Sequence, residues 1–142
     1  MKETFLMNIK GLQSYSGPDE DTDIVLTTEA GFEKQDGVFF IDYKETEITG
    51  MEGTNTLIEI GDNYVSLRRT GTVNTTMLFM KDRKTSSCYN TPYGELLIGI
   101  FTNKLEIDID ENGGRVSVDY YIDINNASTS KNNFDLEIRR KN

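Results

Sequence analysis

Two acidic residues and one basic residue offer the clearest chemistry in this chain. Glu45 and Glu47 sit two positions apart, and Arg69 ends the run Val65 to Arg69. Alternate residues of an extended strand share a face. If Phe39, Ile41 and Tyr43 point inward, Glu45 and Glu47 continue that face, and the same parity turns Arg69 inward with Val65 and Leu67. Facing carboxylates would hold Arg69 charged and oriented through bidentate hydrogen bonds. Two readings follow. One is an internal ion pair that fixes strand register; the other is an arginine aimed at an anionic or carbonyl-bearing ligand. A carboxylate pair also invites glycoside hydrolysis. Same-face neighbours lie about 6.5–7 Å apart at Cα, which is compatible with the ~5 Å carboxyl spacing of retaining enzymes. Such pairs arise readily in an acidic chain, so a structural role is favoured and the protein is read as non-enzymatic.

Other chemistries are removed by composition. The 142 residues contain no His and a single Cys. Without histidine the Ser-His-Asp and Cys-His nucleophile systems are absent, as are the usual zinc sites. Cys88 has Lys81, Arg83 and Lys84 nearby in sequence, which can favour a thiolate, but no histidine base accompanies it. One thiol closes no intrachain disulfide, so nothing calls for an oxidising compartment. The acids of Asp108 to Glu111 lack the spacing of an EF-hand loop, and no metal or other cofactor is expected.

Charge distribution adds to this. The formal net charge is −9, yet residues 1–67 carry −10 and residues 68–142 carry +1. The basic clusters Lys81-Asp82-Arg83-Lys84 and Arg139-Arg140-Lys141 are short, and nucleic-acid binding is not expected from so acidic a chain. No window approaches the ~18 apolar residues of a membrane helix, and Met1 to Gly11 lacks the apolar stretch of a signal peptide. The sequence reads as cytoplasmic, with a small molecule as the expected partner and a monomer or homodimer as the expected state.

The elements that must position these side chains are strands. Leu105, Ile107 and Ile109 alternate with charged residues. So do the apolar positions of Val116 to Ile124 and of Phe134 to Ile138. Strict alternation marks strands with one buried face and one wet face. Asp36-Gly37 and Asn112-Gly113 suit two-residue hairpin turns. Gly17 to Asp21 and Asn125 to Asn133 read as longer loops. Strands are predicted over 3–15, 22–34, 38–48, 55–60, 64–69, 75–80, 94–110, 115–124 and 133–140, with a further short strand near 86–90. The run Gly94 to Asp110 is too long to stay straight, and a bulge is predicted around Thr102 to Lys104. About nine successive strands with short links predict one all-β domain over residues 1–142. An up-and-down meander of eight to ten strands most readily hides its edges by closing into an antiparallel barrel, and a two-sheet sandwich is the alternative. In a meander the third and fifth strands run the same way, so Glu45, Glu47 and Arg69 should converge at one mouth. The interior would be filled by side chains or hold one small ligand.

Several strings resemble the YwiB-like group of small bacterial proteins. They are YNTPYGEL (Tyr89–Leu96), YKETEITG (Tyr43–Gly50), VSLRRTG (Val65–Gly71) and VDYYIDI (Val118–Ile124). They occur in the right order over most of the chain. The resemblance implies a closed barrel of the lipocalin-like (calycin) kind, and it implies no activity or catalytic residue. It directs attention to Tyr43, Glu45, Arg69, Gly71, Tyr89, Thr91, Pro92, Tyr93 and Gly94, of which the glycines fit turns. The candidate ligand-binding set is therefore Tyr43, Glu45, Glu47, Arg69, Tyr89 and Tyr93. The competing expectation is an interaction or structural module whose barrel is packed solid.

Overall fold

The computed structural model describes residues 3–11, 25–45, 52–71, 74–91, 94–124 and 128–141. Ten strands follow one another: β1 (Glu3–Lys10), β2 (Val25–Gln35), β3 (Val38–Lys44), β4 (Thr54–Ile60), β5 (Tyr64–Gly71), β6 (Thr75–Met80), β7 (Arg83–Thr91), β8 (Gly94–Asp110), β9 (Gly113–Ile124) and β10 (Ser128–Arg140). All pairings are antiparallel, in the order β6-β5-β4-β3-β2-β1-β10-β9-β8-β7. Every consecutive pair of strands is therefore joined except β6 and β7, and β1 pairs with β10 to carry the wall round. The protein is a nearly closed ten-stranded barrel whose seam lies between β6 and β7.

Alternation sets which side chains fill it. Phe5, Met7 and Ile9 of β1, Ile58 and Ile60 of β4, and Phe134, Leu136 and Ile138 of β10 are all buried. Near the seam Phe79 of β6 meets Tyr120 of β9 and Phe134 of β10 edge-on, at ring centroid distances of 4.8 and 5.5 Å. Such pairs add to the stabilisation from burial alone. At the end of the barrel away from Arg69, Phe32 packs against Phe5 and stacks on Phe39. Arg140 lies over the Phe5 ring and Lys34 over the Phe39 ring. The interior is packed with side chains.

The predicted bulge is present, as a register shift between Thr102 and Lys104 in the β8–β9 pair. The Asp36-Gly37 turn is also present, with φ values of 52° and 81° that match a primed hairpin turn. Three expectations need correction. The second hairpin loop is Glu111-Asn112, one residue early, because the Asp110 carboxylate accepts a hydrogen bond from the Asn112 N–H (2.7 Å) and Gly113 already pairs with Asp110. The short strand expected near 86–90 is the nine-residue β7. Residues 128–133, expected in a loop, extend β10 along β9. The expected loop over 17–21 lies outside the described residues.

Candidate functional site

Antiparallel register brings four side chains into one row across the wall. Tyr43 of β3 pairs with Thr56 of β4, Thr56 with Arg69 of β5, and Arg69 with Thr75 of β6. Glu45 follows β3 on the same face, fixed by a 2.8 Å bond from its N–H to the Thr54 carbonyl. Parity thus brings Glu45 and Arg69 together, as expected from the sequence. Arg69 Nε lies 3.6 Å from Glu45 Oε2, and both side chains are almost wholly buried. Thr56 Oγ1 donates to the same carboxylate oxygen at 2.5 Å.

The cluster is incompletely satisfied. Arg69 Nε and Nη2, Glu45 Oε1 and the Tyr43 hydroxyl have no hydrogen-bond partner. Native proteins pair nearly all their buried polar groups. A buried arginine with two open donors beside an open carboxylate oxygen is an exception to that rule. The donors and the acceptor complement a group that carries both an acceptor and a donor.

Burial, reinforced by the Glu45 carboxylate, raises the Tyr43 phenol above the ordinary tyrosine value, while Arg69 acts the other way. A raised folded-state value favours the neutral phenol in the fold. The corresponding stability is present below about pH 10 and is lost as pH rises from there toward the folded value. Tyr43→Phe should flatten this alkaline loss. At neutral pH it should be nearly neutral, because the hydroxyl it deletes makes no well-formed hydrogen bond. Urea midpoints of both proteins at about pH 7 and about pH 10.5 test this; equal alkaline losses would contradict it.

Arg69 also borders a cleft of about 580 Å³ at the seam. Arg68 and Arg69 contribute from β5, Thr76 and Leu78 from β6, and Ser86 and Cys88 from β7, with further hydroxyls from Thr70, Thr75 and Ser87. Among the described residues no carboxylate lines it. Local structure at its rim is set by Asn74, whose side-chain amide accepts from the Gly71 N–H (3.2 Å) and donates to the Gly71 carbonyl (2.8 Å). Gly71 has φ 121°, and a Cβ there would run into the Gly53 carbonyl, so only glycine serves this bend.

The other expected site residues divide as follows. Glu47 and Tyr93 lie outside the described residues. Tyr89 is placed in β7 opposite Leu96. Cys88 is exposed on the outer face of β7 and lines the cleft. Sequence reasoning passed over Arg68, Thr56 and Thr75. Thr56 and Thr75 share the row of Arg69, and their parity on β4 and β6 was the signal available. Arg68 points outward, and it reaches the cleft from one strand in from the unpaired edge of β6.

A family model described as a domain of unknown function, DUF1934, matches residues 7–136. The chain belongs to the DUF1934 family. A relative from Bacillus subtilis (strain 168), described as the uncharacterized beta-barrel protein YwiB, is 28% identical over 94 residues. The match takes in 66% of this chain and 64% of that protein, so it spans less than two thirds of the relative's length. The crystal structure of the ywiB protein from Bacillus subtilis superposes with a TM-score of 0.76 at 17% identity, covering 99% of this chain and 94% of that one. The superposition supports the shared DUF1934 barrel fold, and the resemblance seen in the sequence strings is thereby upheld.

Proposed function

We propose that this barrel is a non-enzymatic binding protein that takes a small polar or anionic molecule at the seam cleft beside Arg69. The observation that carries the reading is Arg69, whose buried guanidinium keeps two donors unbonded and which borders a cleft lined by hydroxyls and a second arginine. In a chain of net charge −9, a recess bordered by two arginines and, among the described residues, by no carboxylate is a local exception, and it favours anions by charge and by fork geometry. A lipocalin-like ancestry would place a ligand inside the barrel; here the packed core moves the reading to the cleft. The lone Cys88 suits a reducing compartment such as the cytoplasm.

The test is a titration of the ¹⁵N-labelled protein with inorganic phosphate and with succinate, followed by NMR at the Arg69 Nε–H and at the amides of β5 to β7. Shifts that saturate and stay within the cleft are expected. Shifts spread evenly over basic surface residues, or none, would overturn the reading.

The second reading, a scaffold or interaction module, is favoured by the filled interior around Phe79, Tyr120 and Phe134. It predicts no saturable site for either anion.

A further inference from the structure

The seam is more than a recess, because it exposes two strand edges. No ladder joins β6 to β7. Near their connecting turn the wall is clipped shut by Asp82 N–H bonding to the Thr102 carbonyl (2.7 Å) and by Thr85 Oγ1 donating to the Leu78 carbonyl (2.6 Å). The second bond also fixes the orientation of β6. If the Leu78 carbonyl points at β7, then by antiparallel alternation the N–H and C=O of Thr76 point the same way, away from β5. Those groups border the cleft beside Arg68, which pairs with Thr76 across β5 and β6. An unpaired edge is a template for another strand.

We propose that the seam binds an extended acidic segment of a partner polypeptide, which adds as a strand to the β6 edge and sets its outward carboxylates against Arg68. This rests on reading the cleft as an anion site, and it names the class of anion. Two features support a peptide over a compact anion. Thr76 offers a backbone donor and acceptor together, as a peptide requires. The edge from Thr75 to Met77 spans roughly 10 Å of strand at ~3.3 Å per residue, longer than a single phosphate or carboxylate would use. Charge decides the sign of the segment. The protein as a whole repels acidic chains, so acid preference can come only from the local arginines, and it should weaken with salt.

The experiment uses fluorescence anisotropy with a short blocked peptide alternating Glu and Thr, a copy N-methylated at alternate amides, and a Lys-for-Glu copy, with succinate as competitor. The acidic peptide should bind, and the Lys copy should not. N-methylation and Arg68→Gln should each weaken binding roughly tenfold, the size expected from one lost hydrogen bond or charge contact of about 1.4 kcal/mol. Arg68 is exposed, so its substitution leaves folding intact. If succinate saturates the cleft and the peptide does not bind, the anion reading stands and the strand inference falls. Binding that is indifferent to N-methylation overturns strand addition as well. A dimer of the free protein that the peptide fails to dissociate would assign the edge to a second copy and overturn the inference. If neither succinate nor peptide binds, both readings fall.

Discussion

Replacing Arg69 with methionine should cost about 3–5 kcal/mol of stability, because it strands the buried Glu45 carboxylate without its counter-charge. Glu45 would retain the Thr56 hydroxyl as donor, but one neutral hydrogen bond does not offset the desolvation of a full charge. The informative variant is the double one. Arg69→Met with Glu45→Gln removes both charges at similar volume and should recover most of the loss, since replacing a buried pair by uncharged groups is often neutral. Urea unfolding of the parent, both single variants and the double gives the coupling directly. Additive losses would mean that the 3.6 Å contact does not stabilise the fold. The same series separates stability from binding. A double variant that is as stable as the parent but no longer takes phosphate or succinate would assign the arginine to ligand recognition.

Phe79→Ala should be the most damaging change in the core, at about 3–5 kcal/mol. Phe79 is fully buried and lies on β6, a strand paired on one side only. Its ring contacts to Tyr120 and Phe134 reach β9 and β10 across the interior. For a strand with no second ladder, that packing substitutes for the missing one. The loss should therefore appear as more than a lower unfolding midpoint. Amides of Thr75 to Met80 should exchange faster relative to those of β1 and β10 than they do in the parent. Phe79→Leu should cost far less, since it keeps most of the apolar volume. A uniform rise in exchange across the barrel would show that β6 is not held independently in this way.

How much of this could be read from the chain depended on how strictly it alternates. Leu105 to Ile109 and Val116 to Ile124 announce their strands because each buries one face. The bulge at Thr102 to Lys104 followed from the length of its run and from alternation that is clean only in the second half. β7 was mostly hidden: Arg83 to Thr91 has no apolar alternation, because its inward positions Thr85 and Ser87 carry hydroxyls, and its strand form comes from pairing with β8. The same holds for residues 128–133 of β10, a polar stretch held by β9. The meeting of Glu45 with Arg69 was legible because parity and strand direction survive any error in strand ends. The seam was not legible. Nothing local in Thr75 to Met80 says that its outer edge goes unpaired, since that is decided by where the first and last strands find each other.

That meeting of β1 with β10 has a consequence for the order of events during synthesis. One side of β1 finds its partner soon after β2 leaves the ribosome, whereas its other side must wait for residues 128–140, made after the other nine strands. Through that interval Phe5, Met7 and Ile9 line a wall that ends in an open edge. Pairings of such sequence separation are slow to form and leave the chain prone to aggregation while they are pending. The nascent chain therefore has a stretch of time in which its first strand depends on chaperones or on speed, and a chain shortened before β10 would never leave it.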